Sequence, residues 1–94
     1  LTDEFLKQVQ EKGAYLRQQI EDLHLKCLGK TRGMGLMIGI EVADGYTNGE
    51  IANQLIENGL LVLTAGDGMR LLPPLVITKE EMDDGVAIMK KVLE

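Results

Sequence analysis

Arg70 is the residue whose type and surroundings most clearly suggest chemistry, because it interrupts the apolar run "MRLLPPL" at residues 69–75. A guanidinium is always charged and presents a rigid fork of N–H donors, so it requires a carboxylate partner or a solvated position. Pro73 and Pro74 predict that a strand ends beside the arginine, since proline donates no ladder hydrogen bond. From the residues alone, an ordinary arginine on a solvated sheet face and an anion-binding arginine both remain open.

No other cluster of side chains predicts a catalytic or metal-binding centre. Cys27 and His24 are each the only residue of their type, which excludes a cysteine-based zinc site within the chain and disfavours a Cys–His pair. The glycines in "RGMGLMIGI" favour a tight hairpin over a dinucleotide-binding loop, because Ile38 stands where that loop requires glycine. We therefore expect no catalytic residue and no metal ligand in this chain.

The composition limits the partners. A chain of 94 residues predicts a single domain with a modest core. Its 15 acidic and 10 basic residues give a net charge of -5, which repels nucleic-acid phosphates and anionic membranes. The single cysteine favours a reducing compartment, and no apolar run approaches the ~20 residues of a membrane span. We expect a cytoplasmic protein with neither nucleic acid nor membrane as a partner.

Hydrophobic periodicity predicts the elements that must position Arg70. Apolar residues recur at helical spacing near both ends of the chain, and two segments between them alternate as strands do. Capping boxes at Thr47 with Glu50 and at Thr78 with Glu81 predict the starts of two helices. The predicted elements are a helix over roughly 2–24, a hairpin whose second strand is 35–42, a helix from Thr47 to Gly59, a hairpin turning at Asp67-Gly68, and a helix after Thr78.

The order α, β, β, α, β, β, α predicts an α+β fold in which an antiparallel sheet of two hairpins is covered by helices on one face. Neighbouring strand residues point to opposite faces of a sheet. Met69 and Leu71 are therefore expected to pack under the helices, while Arg70 and Leu72 face away from them.

Two segments carry a resemblance to a known family. The run "TRGMGLMIGIEV" resembles the first hairpin of the small C-terminal domain of class III pyridoxal-phosphate aminotransferases, and "NGLLVLTAGDGMRLLPPLVITKEEMD" resembles its second hairpin and final helix. The second segment is most similar to the branch that acts on acetylornithine, with the ornithine and succinylornithine branches as near relatives. The resemblance implies that residues 1–94 are one domain of a longer enzyme, an expectation that the first residue, Leu1, also favours.

The resemblance implies a fold type I enzyme that uses pyridoxal phosphate and works as a homodimer. A separate large domain would carry the lysine that holds the cofactor, so no cofactor-binding residue is expected in residues 1–94. Arg70 corresponds to the arginine that binds the α-carboxylate of both the amino-acid and the 2-oxo-acid substrate. Thr64, Ala65 and Gly66 match the loop near the substrate entrance. The alternative interpretation is a free-standing amino-acid-binding or regulatory module.

A domain that packs against the rest of a larger enzyme should expose apolar side chains at the contact. Leu72, Leu75 and Val76 are the candidates for part of this contact. We therefore expect these three side chains to be exposed when the chain is considered alone.

Overall fold

The chain folds into three helices and four strands in the predicted order. The computed structural model describes residues 2–94, apart from the side chain of Met34. The elements are α1 (Asp3–Glu21), β1 (Leu28–Met34), β2 (Met37–Val42), α2 (Asn48–Glu57), β3 (Val62–Ala65), β4 (Gly68–Leu71) and α3 (Lys79–Leu93).

The strands form one antiparallel sheet in the order β1-β2-β4-β3. The two hairpins meet through β2 and β4, where Ile38 pairs with Leu71 and Ile40 pairs with Met69. The edge strands are β1 and β3. The predicted antiparallel sheet of two hairpins is therefore confirmed.

The hydrophobic core lies on one face of the sheet, beneath the helices. Ile38, Leu55, Met69 and Met89 are its largest fully buried side chains. Each contributes about 1.5–3 kcal/mol relative to an exposed position. Arg70, between buried neighbours in β4, is exposed on the opposite face, so helices cover one side of the sheet as predicted.

The helix starts differ in how they are capped. Thr78 and Glu81 form the predicted capping box: the Thr78 hydroxyl accepts from the Glu81 N–H at 3.1 Å, and the Glu81 carboxylate accepts from the Thr78 N–H at 2.9 Å. The capping box predicted at Thr47 is wrong, because the Thr47 side chain makes no capping hydrogen bond to α2. The next side chain, Asn48, instead contacts the turn between β3 and β4.

Two element boundaries differ from the prediction because of backbone conformation. Helix α1 ends at Glu21 rather than near residue 24, since His24 has a φ of 50°, and a left-handed residue does not continue a helix. Strand β2 begins at Met37 rather than at residue 35, because Gly35, with a φ of 63°, belongs to the turn.

The second hairpin turns at Gly66-Asp67, one residue earlier than predicted. Gly66 has a φ of 59°, as the first position of a two-residue hairpin loop requires. Gly68 already pairs with Ala65 in the ladder, and a Cβ at Gly68 would lie 2.6 Å from the carbonyl oxygen of Ile40. Glycine at position 68 is thus required by the close approach of two strands rather than by the turn.

A polar contact joins α1 to α3. The Tyr15 hydroxyl donates to Asp83 Oδ1 at 2.5 Å, and the Lys79 Nζ donates to Asp83 Oδ2 at 2.8 Å. The hydrogen bond from Lys79, followed by that from Tyr15, holds the pKa of Asp83 below its ordinary value of 3.8. The Asp83 carboxylate is therefore a charged acceptor shared by two helices.

Candidate functional site

Arg70 lies on the open face of the sheet, in β4. It pairs with Gly39 in β2 on one side and with Leu63 in β3 on the other. Met69 and Leu71 are only 1% and 8% exposed, whereas Arg70 is exposed. Among the residues that the structure describes, no carboxylate lies within ion-pairing distance of Arg70. Its guanidinium is therefore free to bind an external anion.

An open groove of about 580 Å³ runs beside Arg70. Its charged lining residues are Arg32, Glu41, Asp44, Asp67 and Arg70. The volume is adequate for a small metabolite. Because carboxylates outnumber arginines here, an anionic ligand must rely on direct hydrogen bonds to a guanidinium rather than on a general positive field.

Arg32 occupies the same row of the sheet as Arg70, across Gly39. Both arginines pair with Gly39, one in each ladder, so their Cα atoms are about 10 Å apart by the usual strand spacing. A Cβ at Gly39 would lie 3.3 Å from the Cγ of Arg32, so glycine leaves room for the arginine stem. Unlike Arg70, Arg32 has a partner within the domain, since its Nη2 lies 3.5 Å from Glu41 Oε2.

The other predicted site residues lie in different places. Ala65 lines the groove together with Arg70. Thr64 pairs with Met69, whose side chain is buried, so Thr64 lies on the helix-covered face of the sheet. Gly66 is in the turn and does not line the groove. Of the three loop residues, the structure brings Ala65 together with Arg70.

Asn48 makes a contact that sequence reasoning missed. Its side-chain Nδ2 donates to the carbonyl oxygens of Gly66 at 2.9 Å and of Gly68 at 3.0 Å. The partners are 18 and 20 residues away along the chain, so no local pattern signals the contact. The first residue of α2 is thereby attached to the turn that leads into the strand of Arg70.

Apolar side chains are exposed just beyond β4. Leu72, Leu75 and Val76 are 41%, 49% and 77% exposed, as predicted. Leu61, 70% exposed, lines an apolar groove of about 340 Å³ together with Leu72. Exposed apolar surface of this kind is typical of a contact with another protein surface.

Other kinds of site find no support in residues 2–94. In this part of the chain, no group of histidine, cysteine and acidic side chains is placed to bind a metal ion. Helices long and apolar enough to cross a membrane are likewise absent from it. Cys27 is buried, and burial raises the pKa of its thiol, which makes it a poor nucleophile.

The chain matches known proteins in sequence and in fold. Residues 1–93 match the family described as aminotransferase class-III. An acetylornithine aminotransferase of Bacillus anthracis is 46% identical over 92 residues, which are 95% of this chain and 23% of that protein. The crystal structure of an acetylornithine aminotransferase from Elizabethkingia anophelis matches with a TM-score of 0.85 at 34% identity, over 97% of this chain and 25% of that one. An ornithine aminotransferase from Plasmodium yoelii matches with a TM-score of 0.82 at 29% identity, over 97% and 25%.

The chain therefore belongs to the class III aminotransferase family. It spans about a quarter of the length of the relatives it matches. Its antiparallel sheet with helices on one face is the α+β arrangement that those solved structures contain over the matched part.

Enzymes of this family use pyridoxal phosphate, and the resemblance described above implies that a lysine holds it. None of the residues that line the groove beside Arg70 is a lysine. The groove therefore does not fit the cofactor by itself. What it offers is a guanidinium for a carboxylate.

Proposed function

We propose that this chain is the C-terminal small domain of an acetylornithine aminotransferase, which transfers an amino group from N-acetylornithine to 2-oxoglutarate in arginine biosynthesis. The observation that carries the proposal is Arg70, an exposed arginine on an open groove, with no ion-pair partner in the described part of the chain. Relatives named as acetylornithine aminotransferases support this choice of substrate.

Arg70 supplies the recognition of the α-carboxylate. A carboxylate accepts two parallel N–H···O bonds from a guanidinium fork, which fixes the orientation of the substrate as well as its position. In 2-oxoglutarate this carboxylate is attached to the reacting carbon, whereas in N-acetylornithine three carbons separate it from the carbon that bears the reacting amine. Both substrates therefore present an α-carboxylate to Arg70. The reaction of 2-oxoglutarate depends most directly on where that carboxylate is held, because the reacting carbon is attached to it.

The chain acts by binding and orienting substrate, and by closing the site. Pyridoxal phosphate, held by a lysine elsewhere in the complete enzyme, supplies the chemistry that accepts and returns the amino group. Movement of this domain onto its own large domain would exclude water from the reacting atoms. The exposed side chains of Leu61, Leu72 and Val76 support a contact with that domain or with the second subunit of a cytoplasmic homodimer.

An ornithine or succinylornithine aminotransferase is the alternative within the family. Ornithine aminotransferases match this fold with a TM-score of 0.82, close to the 0.85 of an acetylornithine enzyme. Comparing kcat/KM for ornithine and its two acyl derivatives separates these candidates.

Replacing Arg70 tests the proposal in the complete enzyme. For Arg70→Ala, a substrate carboxylate left unpaired predicts a loss of ~2–5 kcal/mol, by analogy with truncated charge pairs. This corresponds to a fall of roughly 30- to 4000-fold in kcat/KM for 2-oxoglutarate. A fall is expected for N-acetylornithine too. Arg70→Lys should rescue only in part, because an ammonium cannot reproduce the two parallel bonds.

Two controls make this result specific to the carboxylate. 4-Oxobutanoate is 2-oxoglutarate without the α-carboxylate, so its kcat/KM should change little in Arg70→Ala. Lys91→Ala removes a charge from an exposed position on α3 and should leave both acceptors unaffected. If kcat/KM for 2-oxoglutarate falls less than about tenfold, the carboxylate role of Arg70 is wrong.

The 94-residue chain alone is expected neither to transaminate nor to bind pyridoxal phosphate at a specific site, because no lysine lines the groove. Titration with the cofactor, followed by absorbance and by NMR chemical shifts, measures this directly. A saturable site with one modified lysine would contradict the expectation.

A further inference from the structure

Asn48 is the side chain of α2 that connects this helix to the Arg70 hairpin. Its amide donates to two carbonyl oxygens of the same turn, those of Gly66 and Gly68. Asn48 is half-buried, and its contact with Gly68 is partly shielded from water. Such a two-bond contact is stronger and better oriented than a single surface hydrogen bond.

The turn between β3 and β4 is held on two sides. On one side, Gly68 lies so close to Ile40 of β2 that a Cβ would be 2.6 Å from the carbonyl oxygen. On the other side, the carbonyls of Gly66 and Gly68 are held by Asn48. The turn is therefore fixed between β2 and α2.

This turn forms one end of the groove. Ala65, Asp67 and Gly68 all line the groove with Arg70. Strand β4 is only four residues long, and Gly68 is its first residue, so the turn determines where the strand of Arg70 begins. A displacement of the turn would therefore move both the groove wall and the guanidinium.

We propose that Asn48 is a positioning residue for α-carboxylate recognition, acting by fixing the β3–β4 turn so that Arg70 meets the substrate in the correct orientation. The inference rests on the proposed function of Arg70. Asn48 makes no contact with the carboxylate in this scheme. It holds the β3–β4 turn at a fixed position relative to α2.

Asn48→Asp removes the donor and keeps the shape of the side chain. Aspartate has nearly the shape of asparagine and is favourable in the first turn of a helix, so α2 should remain intact. Its carboxylate has no N–H to donate and would face two carbonyl oxygens. Asn53→Asp is the matched control, because it introduces the same charge at an exposed position of the same helix.

The experiment measures kcat/KM of the complete enzyme for 2-oxoglutarate and for 4-oxobutanoate, which lacks the α-carboxylate. For Asn48→Asp we expect kcat/KM for 2-oxoglutarate to fall by roughly tenfold, mainly through KM, as a misplaced binding group predicts. The value for 4-oxobutanoate should change less than about twofold. Asn53→Asp should behave as the unmodified enzyme with both acceptors. Asn48→Ala, which also lacks the donor, should resemble Asn48→Asp in direction.

Equal losses with both acceptors, or no loss with either, would overturn the inference, because the role of Asn48 would then be structural or negligible. Failure of the proposed function has a different signature: Arg70→Ala itself would lose no more kcat/KM with 2-oxoglutarate than with 4-oxobutanoate. Hydrogen exchange of the peptide that spans residues 62–72, in the same variants, gives a second measurement that does not depend on catalysis. We expect faster exchange in Asn48→Asp than in Asn53→Asp, and equal rates would count against the inference.

Discussion

At the scale of the residue, Arg70 was predictable in its orientation but not in its neighbourhood. The alternation of strand side chains requires Arg70 and Met69 to lie on opposite faces, and the structure agrees. That Arg32 would stand across Gly39 depends on the register between strands that are distant in sequence. The contact of Asn48 could not be predicted for the same reason, because its partners lie on another element and a single asparagine forms no recognisable sequence pattern.

Two helix glycines are expected to respond oppositely to alanine. In Gly13→Ala, the new Cβ would lie 1.9 Å from the backbone oxygen of Gly35, so α1 and the first hairpin must move apart. We expect a loss of about 2–4 kcal/mol in the free energy of unfolding. In Gly85→Ala, the new Cβ would make an ordinary contact with Leu60 at 3.6 Å. Removing backbone freedom from α3 should then stabilise the fold by about 0.5–1 kcal/mol.

Urea unfolding of the two variants, followed by circular dichroism, measures both changes. A destabilised Gly85→Ala would show that α3 and Leu60 pack more tightly than the structure indicates. A neutral Gly13→Ala would mean that the helix and the hairpin separate at little cost, contrary to the close backbone contact at this point.

At the scale of the element, sequence patterns predicted the order of all seven helices and strands. The helices and β2 have a clear hydrophobic period, and turn residues indicated the two hairpins. Their ends were less predictable. The turn at Gly66-Asp67 was misplaced by one residue because Asp67-Gly68 has the composition of a hairpin loop, whereas Gly68 is needed inside the ladder against β2. The order β1-β2-β4-β3 is a property of how the hairpins pair, which local periodicity does not contain.

The two predicted capping boxes give a matched pair of threonines. Thr78→Ala removes the acceptor of the Glu81 N–H and should lower the free energy of unfolding by about 1 kcal/mol. Thr47→Ala removes no capping hydrogen bond and should change it by less than about 0.5 kcal/mol. Chemical denaturation of both variants is the measurement. Equal losses would indicate that Thr47 caps α2 in solution.

At the scale of the whole molecule, the domain has its own core and two incomplete surfaces. Its open sheet face carries the groove and an arginine without an ion-pair partner among the described residues. Its exposed apolar residues lie beyond β4, at Leu72, Leu75 and Val76. Under the proposed function, these are the surfaces that would contact the rest of the enzyme.

The free energy of unfolding of the whole domain should also decrease at acidic pH. Three carboxyl groups that accept hydrogen bonds in the fold have lowered pKa values. The main cause is the Thr31 hydroxyl for Glu21, the Thr78 N–H for Glu81 and the Lys79 ammonium for Asp83. A carboxyl whose pKa is lower in the folded than in the unfolded state stabilises the fold above its unfolded pKa. Its contribution is lost as pH falls below ordinary values of 4.5 for the glutamates and 3.8 for Asp83.

We therefore expect the free energy of unfolding to change little between about pH 7 and 5 on account of these groups, and to fall steadily below pH 4.5. A triple variant, Glu21→Gln, Glu81→Gln and Asp83→Asn, should be less stable at pH 7. Its free energy of unfolding should approach that of the unmodified chain as pH falls, because the unmodified carboxyls then become neutral as well.

A control with Glu11→Gln, Glu57→Gln and Asp84→Asn changes the net charge equally at positions for which the structure shows no hydrogen bond within residues 2–94. Urea unfolding of both triple variants and of the unmodified chain at a series of pH values is the measurement. If the control converges with the unmodified chain as strongly as the first variant does, net charge rather than these three hydrogen-bonded carboxylates governs the acid sensitivity of the domain.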